Sequence, residues 1–455
     1  MVDAPFQVLP EDWEITTLGE AAQRGGGNVQ TGPFGSQLHA SDYVAEGVPS
    51  VMPQNIGDNR IIEEGIARIK ESDAERLSKY RLASGDIVYS RRGDVERRSL
   101  VRSQNDGWLC GTGCLRVSFG KHHVLPEYAA YYLGHSAVRE WIVQHAVGAT
   151  MPNLNTHILS SVPFVLPPMD VQIGIATVLS ALDDKIELNR RMNETLEAMA
   201  QAIFRDWFVD FGPVRRKMAG AMDPIAIMGG LMPDAARASK LAALFPDKLG
   251  EDDLPAGWRE KPLDQIAEFL NGLALQKFPA QPGEPSLPVI KIAELRGGLT
   301  EKTNRASPDL PECYIIRDGD FLFSWSGSLM AKVWTEGEGA LNQHLFKVSS
   351  AKYPQWFFAR WVHHHMPEFQ SIAASKATTM GHIQRGHLSS ASAVCPPHDL
   401  LDEMSKIMGP LWQRAIHNDL ENRTLAETRD YLLPRLMSGE VKMAALGDLI
   451  REVAE

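Results

Sequence analysis

The feature that most constrains the fold is a long amphipathic segment from Asp170 to Phe211. Its apolar positions alternate in steps of four and three, which is the spacing of a coiled-coil seam. Pro167-Pro168 precedes the segment, Asp170 is a suitable N-cap, and Gly212-Pro213 supplies a stop signal. The seam comprises Ile175, Leu179, Leu182, Ile186, Asn189, Asn193, Leu196, Ala200, Ile203 and Trp207. We therefore predict one long helix that needs a partner helix.

A second copy of this segment lies near the C-terminus, at a constant offset of 229 residues (Pro167 to Pro396). The same offset carries Asp170 onto Asp399. The second seam comprises Met404, Met408, Leu411, Ala415, Asn418, Asn422, Leu425 and Leu432. We predict that the two helices pair with each other in antiparallel orientation.

Each seam contains two asparagines, Asn189 and Asn193 in the first copy and Asn418 and Asn422 in the second. An apolar stripe alone would indicate ordinary core packing. Buried asparagine costs stability unless it pairs, and its best-attested role at such positions is to fix register and partner choice. The four asparagines are therefore predicted to set the register of the helix pair.

Two prolines interrupt the second copy. Gly409-Pro410 lies inside it and Pro434 lies near its end. Proline lacks the helical N–H and its ring clashes with the preceding turn. We expect the second helix to kink or restart at Pro410, to end near Pro434, and so to be shorter than the first.

The repeat extends upstream of both helices, because Leu159-Ser160-Ser161 falls on Leu388-Ser389-Ser390 and Gly85-Asp86 is echoed by Gly319-Asp320. Short β-like runs bounded by Gly and Pro, with helix-like stretches, indicate α+β domains. We predict that the chain consists of two structural repeats, each a globular domain followed by a long helix, related by pseudo-two-fold symmetry. The predicted segments are a first domain at 1–168, a central spacer helix at 169–211, a connector at 212–253 with a helix near 235–244, a second domain at 254–397, a distal helix at 398–439 and a tail at 440–455.

Composition is that of a soluble globular protein, with 44% apolar and 23% charged residues. No apolar run approaches the roughly 20 residues of a membrane span. The first residues carry no secretory signal, so the expected compartment is the cytoplasm. The cysteines are Cys110, Cys114, Cys313 and Cys395, which are too few and too irregular for a disulfide framework or a zinc site. We expect them to be reduced and structural.

Charge gives a mixed indication about nucleic acid. The net charge of -11 is not that of a free-standing DNA-binding protein. Five arginines nevertheless crowd one short segment: Arg91, Arg92, Arg97, Arg98 and Arg102. The run Ser90 to Asp94 follows a predicted strand, and arginines at a strand end suit guanine edges or phosphates. A solvated charged loop fits equally well, and an acidic chain that contacts DNA locally would do so within a complex.

No catalytic motif is present. The sequence lacks a phosphate-binding loop, a His-Glu-x-x-His zinc motif, a Gly-x-Ser-x-Gly elbow and a dinucleotide fingerprint. His363-His364-His365 is three consecutive residues on a predicted helix, and these point in three directions rather than at one metal. We predict no metal site and no cofactor in this chain, and a helix surface for the three histidines.

Several motifs resemble those of the specificity subunits of type I restriction-modification systems. They are Trp13-x4-Leu18-Gly19, Thr31-Gly32-Pro33-Phe34-Gly35-Ser36 with Asp42-Tyr43, Leu82-x2-Gly85-Asp86, Pro167-Pro168-x3-Gln172-x2-Ile175-Ala176, and the helix end with Asn189, Asn193, Leu196 and Trp207-Phe208. The second half departs from them at Leu401, which stands where Gln172 stands in the first, and at Gly409-Pro410.

The resemblance implies a non-catalytic reader of double-stranded DNA, with two target-recognition domains separated by a helical ruler. It implies two adenine-methyltransferase subunits that carry S-adenosylmethionine, and motor-nuclease subunits that use ATP and Mg, as partners. We predict DNA contacts from polar loop residues, which are Ser36, Gln37, Arg91, Arg92 and Asn153 in the first domain and Ser324, Ser328, Lys376, Thr378, His382 and Gln384 in the second.

Two other functions remain open at this stage. A protein-interaction scaffold with two binding modules would fit the acidic charge, and a degenerate methyltransferase is a third reading. Sequence-specific DNA binding that methyltransferase partners restore would fit only the specificity subunit.

Overall fold

The computed structural model of the chain describes residues 9–121, 123–148, 151–232, 234–375 and 381–441. Contacts divide the chain into two compact units. The first contains the residues up to Lys185 and those from Leu425 onward, and the second is Ile186–Thr424. In the described ranges, no helix is long and apolar enough to cross a membrane.

Among its described residues, the first unit contains ten strands, five short α-helices, the beginning of one long helix and the end of another. Its elements are β1 (Glu14–Thr17), α1 (Leu18–Arg24), β2 (Gly26–Thr31), β3 (Tyr43–Val44), β4 (Val48–Val51), β5 (Ala67–Ile69), α2 (Glu71–Arg76), β6 (Ile87–Ser90), β7 (Arg98–Leu100), β8 (Leu109–Cys110), β9 (Cys114–Gly120), α3 (Pro126–Tyr132), α4 (Ser136–His145), α5 (Thr156–Ser160), β10 (Pro163–Leu166) and α6 (Met169–Phe204).

These strands form three sheets. β2, β9, β6 and β7 make an antiparallel four-stranded sheet in the order β2-β9-β6-β7, β3-β5-β4-β8 makes a second one with a single parallel pair, and β1 pairs with β10. The side chains of α3 and of the first turns of α6 pack on the four-stranded antiparallel sheet in one apolar core. This unit therefore has the predicted α+β character.

The second unit repeats the plan. Its elements are α7 (Gly212–Met218), α8 (Pro224–Ile227), α9 (Ala235–Leu244), β11 (Arg259–Pro262), α10 (Leu263–Ile266), β12 (Glu268–Asn271), β13 (Leu287–Ile290), α11 (Ile292–Gly297), β14 (Arg305–Ala306), β15 (Ile315–Ile316), β16 (Phe321–Ser324), β17 (Met330–Val333), β18 (Gly339–Leu341), β19 (Leu345–Ser349), α12 (Gln355–Ser375), α13 (Arg385–Ser390), β20 (Ser392–Cys395) and α14 (His398–Met437). Its sheets are β12-β19-β16-β17, β14-β13-β18-β15 and β11-β20.

The echo of Gly85-Asp86 in Gly319-Asp320 is one repeated turn. Both glycines have positive φ, +94° and +92°. Each aspartate accepts a hydrogen bond from a backbone N–H three residues upstream, Ala83 in the first unit and Arg317 in the second. The turn starts β6 in one unit and β16 in the other, so the two central strands begin in the same way.

Helix α6 confirms the predicted amphipathic helix, with small differences at its ends. It starts at Met169, so Asp170 lies in its first turn rather than at the N-cap. Gln172 explains the Pro-Pro-x3-Gln spacing, because its buried amide accepts from Leu125 N and donates to Pro167 O. Eight of the ten predicted seam positions are buried, and Asn193 and Leu196 are half-buried.

The end of α6 is less regular than the sequence indicates. A π-helical segment, Arg205–Val209, follows the α-helix, and Phe211 adopts a left-handed conformation at φ 50° before α7 begins. Gly212-Pro213 therefore starts a helix as well as ending one. The connector contains the predicted helix as α9, and its apolar side chains join the core around Trp207 and Trp258.

The expected break at Gly409-Pro410 is wrong, because α14 runs through both Gly409-Pro410 and Pro434 and ends at Met437. Its 40 residues compare with 36 in α6, which five π-helical residues continue, so the two helices are similar in length. Tertiary contacts hold the helix on the C-terminal side of Pro410, since Leu411 and Trp412 pack on the core and Trp412 Nε1 donates to Gln355 Oε1 at 2.9 Å. Packing of this kind compensates the hydrogen bond that proline cannot make.

The two long helices pair in antiparallel orientation, as predicted. In the second unit, Asn189 Nδ2 donates to Asn422 Oδ1 at 3.1 Å, and Asn418 Nδ2 donates to Asn193 Oδ1 at 2.8 Å. A step to a higher residue number on α6 is therefore matched by a step to a lower one on α14. The two bonds are related by the sequence repeat. In the first unit Arg429 donates to Asp183 at 2.8 Å in the same sense.

The asparagine contacts bury side-chain oxygens that lack a hydrogen bond in the described part of the chain, which costs stability. Asn189 and Asn418 are fully buried, and no described residue donates a hydrogen bond to the side-chain oxygen of either. Asn189 also donates to Glu421 at 2.7 Å, and Asn193 donates to Asp419 at 2.8 Å and to Ala415 O. The network therefore links specific positions rather than adding apolar contact, as expected of residues that set register.

We predict that Asn189→Leu with Asn418→Leu raises or preserves the thermal midpoint, because each substitution removes a buried oxygen that lacks a donor and restores the apolar seam. Thermal unfolding of the full chain measures this. The paired variants Asn189→Ala and Asn418→Ala are the control and should be less stable than the leucine pair, since they leave cavities. A leucine pair that melts clearly below the wild type would contradict the prediction.

Arg360 on α12 carries a buried guanidinium that binds both carboxylate oxygens of Glu197, with Nη2 to Oε2 at 2.5 Å. This hydrogen bond holds the pKa of Glu197 below its usual range. The carboxylate stabilises the fold at neutral pH, and this contribution is lost as the pH falls through the lowered pKa. Glu197 is 57% exposed, so water screens part of it.

We predict that Glu197→Gln lowers the free energy of unfolding by about 2 kcal/mol at pH 7, less than for a fully buried pair, because it leaves the arginine charge without its partner. Urea unfolding measures the difference. The difference in unfolding free energy from the wild type should narrow as the pH falls through the lowered pKa of Glu197, where the wild-type carboxylate also becomes neutral. A gap that is constant with pH would refute this account.

Candidate nucleic-acid interface

The candidate site of the first unit is one edge of the sheet β2-β9-β6-β7. β2 and β6 end at this edge while β9 and β7 begin there, because neighbouring strands are antiparallel. The loops at residues 32–37, 91–97 and 111–113 leave the sheet together. The segment 151–154 joins them through backbone hydrogen bonds. We call this the first edge.

Four hydrogen bonds fix the backbone of the loop after β6. Arg91 N donates to Gly113 O at 2.8 Å and Gly93 N donates to Pro152 O at 3.1 Å. Leu154 N donates to Arg91 O at 2.9 Å, and the Ser90 hydroxyl donates to Arg92 O at 2.9 Å. The positions of residues 91 to 93 and of Asn153 are therefore set by main-chain bonds and not by their own side chains.

The second unit has the same frame at the equivalent edge of β12-β19-β16-β17, which we call the second edge. Gly327 N donates to Gly381 O at 2.8 Å and Ile383 N donates to Trp325 O at 3.0 Å. The Ser324 hydroxyl donates to Ser326 O at 3.0 Å. Isolated β-bridges join Arg92 to Asn153 in one unit and Ser326 to His382 in the other. Three of the four bonds of the first frame, those of Gly93 N, Leu154 N and the Ser90 hydroxyl, thus have counterparts in the second.

The side chains on this shared frame differ. Arg91, Arg92 and Asn153 of the first edge correspond to Trp325, Ser326 and His382 of the second. Arg91 is half-buried with an Nε that has no acceptor, and Arg92 is exposed. Within the described ranges neither arginine forms an ion pair. The first edge therefore offers two uncompensated cations.

The second edge offers aromatic and neutral polar groups. Trp325 Nε1 donates to Asn271 Oδ1 at 2.9 Å, and its ring lies 6.3 Å from that of His382 in an edge-on arrangement. The Ser326 hydroxyl and His344 Nδ1 are 3.0 Å apart. Ser326 is buried, so its hydroxyl supports His344 and does not face solvent. The half-buried Trp325, His344 and His382 present polar ring nitrogens and an aromatic face, which suit base edges and bases more than phosphates.

Several predicted contact residues have other roles. Ser324 is wrong as a surface contact, because it is fully buried and its hydroxyl serves the frame. The carbonyl oxygen of the Gln37 amide accepts from Phe34 N and from the Tyr80 hydroxyl, so this side chain holds its own loop together. Lys376 and Thr378 lie outside the described residues.

The remaining predicted residues keep accessible surface. Ser36, Ser328 and Gln384 are exposed, and Asn153 and His382 are half-buried. Gln384 precedes α13, and its N–H donates to His387 Nδ1 at 3.0 Å. Contact of these residues with DNA stays a prediction. Sequence reasoning missed Trp325, Ser326, His344 and Asn271, although the repeat that aligns Ser90 with Ser324 marks the first two.

The five arginines clustered between residues 91 and 102 have different roles. Arg98 is buried, donating to Ala130 O and pairing with Asp58 at 3.0 Å. Arg97 pairs with Asp94 and Arg102 pairs with Asp184 on α6. Of the five, only Arg91 and Arg92 project without a carboxylate partner in the described part of the chain.

The described ranges contain no cluster of side chains that suggests a metal site. There, no three His, Cys, Asp or Glu side chains lie close enough together to hold a metal ion. His363 and His365 are half-buried on α12, and burial lowers the pKa of His363 to about 4. All four cysteines are free thiols, and only Cys313 is exposed.

Comparison with known proteins gives a consistent family. Residues 10–198 match the type I restriction modification DNA specificity domain. The chain is 24% identical over 436 residues to the type I restriction enzyme HindI specificity subunit of Haemophilus influenzae, which covers 86% of this chain and 95% of that protein. It is 21% identical to the MjaIX specificity subunit of Methanocaldococcus jannaschii, over 96% of this chain and 95% of that one.

A solved structure agrees at the level of the fold. The crystal structure of a type I restriction-modification S subunit from M. genitalium is similar with a TM-score of 0.55 and 14% identity, over 95% of this chain and 98% of that one. Together with the repeated domains and the long paired helices, these matches make the chain similar over most of its length to specificity subunits of type I restriction-modification systems, with a DNA specificity domain at residues 10–198.

Proposed function

We propose that this chain recognises a bipartite target in double-stranded DNA, one part at each edge. The observation that carries the proposal is the shared backbone frame with unlike side chains. A frame held by main-chain bonds keeps the loops in the same geometry, while the side chains determine which base edges are complementary. The two half-sites should therefore differ in sequence.

The two edges should also differ in physical character. Arg91 and Arg92 can bind guanine edges or phosphates, so the first half-site should contribute most of the salt dependence. Trp325, Ser326 and His382 carry no permanent charge. With a net charge of -11, the chain needs partners that supply further phosphate contacts.

We infer that the chain itself is not catalytic and that it positions other subunits on the target. Two methyltransferase subunits with S-adenosylmethionine would modify adenines, and motor-nuclease subunits with ATP and Mg would cut the DNA. The names and family of the relatives support this assignment. The division is physically sensible, because reading base edges needs only positioned polar groups, while methylation needs a pocket for an extruded base.

We predict that Arg91→Ala with Arg92→Ala weakens target binding about tenfold or more, relaxes sequence preference at the first half-site only, and reduces the logarithmic salt slope by about 1 to 2. Binding by the complex with its methyltransferase partner should be measured from 50 to 200 mM salt. The matched control is Arg24→Ala with Arg237→Ala, which removes two other exposed cations, and it should leave preference unchanged.

A reciprocal variant tests the second edge. Ser328→Ala with His382→Ala should alter preference at the second half-site and leave the first unchanged. A complex with no sequence preference in the wild type would favour the alternative of a protein-interaction scaffold. Arginine variants that weaken both half-sites equally would contradict separate readers.

We further predict that helix length sets the gap between the half-sites. α6 has 36 residues and so a length of about 54 Å. Four residues inserted after Arg190 add about 6 Å and only about 40° beyond a full turn, a stutter that a seam can absorb by local unwinding. At about 3.4 Å per base pair, the unread gap should grow by one or two base pairs while both half-site sequences survive.

Mapping of methylated adenines in a genome, with the variant and its methyltransferase partner expressed together, measures the gap. The control is the same insertion at Gly220 in the connector, which should leave the gap unchanged. Altered half-sites with an unchanged gap would overturn the role of the helix, and a gap that responds only to the connector insertion would assign spacing to residues 212–253.

A further inference from the structure

One side chain in the loops of the first edge is neither polar nor buried. Phe34 exposes 55% of its surface, whereas the largest buried side chains of the described chain include seven phenylalanines. A single exposed apolar side chain is ordinary in a soluble protein. The surroundings of Phe34 make it unusual.

The loop that carries Phe34 is tightly held. Phe34 N donates to Gln37 Oε1 at 3.2 Å, and Gln37 N donates back to Phe34 O at 2.8 Å. The Tyr80 hydroxyl donates to the same Gln37 oxygen at 2.8 Å, and Leu38 is buried in the adjoining core. The exposed ring therefore sits on a fixed turn.

The neighbours of this turn fit a polyanion. β9 lies between β2 and β6, with Thr31 opposite Leu115 and Ser90 opposite Cys114. At roughly 4.8 Å between strands, the loop of Phe34 leaves the sheet about 10 Å from the loop of Arg91 and Arg92. Neither of these two arginines has a carboxylate partner in the described ranges. The ring thus projects from a surface whose cations are available for phosphates.

More apolar surface occurs on the segment that bonds to the arginine loop. Met151 is 61% exposed and is followed by Pro152, whose carbonyl accepts from Gly93 N. In duplex DNA the available apolar surfaces are thymine methyl groups and the faces of base pairs. The faces become accessible only when two adjacent base pairs are partly unstacked. A planar ring on a rigid turn matches a base face in shape.

We propose that Phe34 inserts between two adjacent base pairs of the first half-site and partly unstacks them, which would bend the duplex there. This inference rests on the proposed function. Apolar wedges of this kind open a base step at a cost of a few kcal/mol and gain contact with the bent duplex. Opening a step beside the target would also lower the cost of extruding a neighbouring base.

The second unit lacks the wedge. Gly32 N donates to Cys114 O, and Gly272 N donates to Leu345 O, so the loops after β2 and β12 start alike. Two residues further along, Phe34 corresponds to Ala274, which is half-buried. The distortion is therefore confined to the first half-site, and the second half-site serves as an internal control on the same duplex.

The test uses the full chain in complex with its methyltransferase partner and a synthetic duplex that carries the mapped target. 2-Aminopurine replaces single bases of each half-site in turn, excluding the methylated adenine, whose extrusion would itself change the fluorescence. Binding of the wild type should raise the fluorescence at one step of the first half-site and at none of the second. Phe34→Ala should abolish the rise and weaken binding about tenfold or more, because stacking on an aromatic ring contributes about 1 to 3 kcal/mol.

Further variants separate the explanations. Phe34→Leu should keep part of the rise and Phe34→Gln should lose it, while Met222→Ala, which removes a side chain 90% exposed in the connector, should match the wild type. Uracil in place of thymine in the first half-site should leave the effect of Phe34→Ala unchanged. If uracil removes that effect, Phe34 contacts a thymine methyl group and the wedge is wrong.

Two other outcomes are distinguishable. A wild-type complex that binds its target selectively without any rise in fluorescence, or a Phe34→Ala complex that keeps the rise, overturns the wedge and leaves the proposed function intact. A wild-type complex without selective binding overturns the proposed function and the wedge with it. A partner protein that binds at Phe34 in the absence of DNA would instead assign this surface to protein contact.

Discussion

The backbone hydrogen bonds at the two sheet edges are the constraint on which the functional account depends. Ser90 and Ser324 each bond to the carbonyl two residues downstream, and Leu154 and Ile383 each donate to the residue after that serine. Because main-chain groups and one buried hydroxyl make these bonds, the outward side chains are free of any role in the frame. Two unlike sets, with Arg91 in one and Trp325 in the other, can therefore occupy one geometry.

Much of the fold could be predicted because its signals are periodic or local. The seam through α6 follows from apolar spacing, and the turn before β6 follows from a glycine with positive φ and an aspartate that accepts a backbone N–H. The course of α14 could not be predicted, because proline chemistry argues for a break at Pro410. Contacts of Leu411 and Trp412 with a core assembled from distant residues decide the outcome instead.

The candidate site was only partly predictable, for a related reason. A polar residue in a loop can face solvent or serve the loop, and the sequence does not distinguish the two. Arg91 and Arg92 lie at the edge without a carboxylate partner among the described residues, whereas Ser324 and Gln37 satisfy backbone groups. Trp325 was missed because an aromatic residue after a strand usually indicates core. Only its alignment with Arg91 by the repeat marks it as a member of the edge.

The central claim is that one frame, used twice with different side chains, reads two different half-sites. The direct measurement is a map of methylated adenines in the genome of a host that otherwise lacks this modification, after expression of the chain with its methyltransferase partner. The account predicts one motif of two unlike half-sites with a fixed unread gap between them. A continuous motif, or a gapped motif whose halves are identical inverted copies, would contradict it.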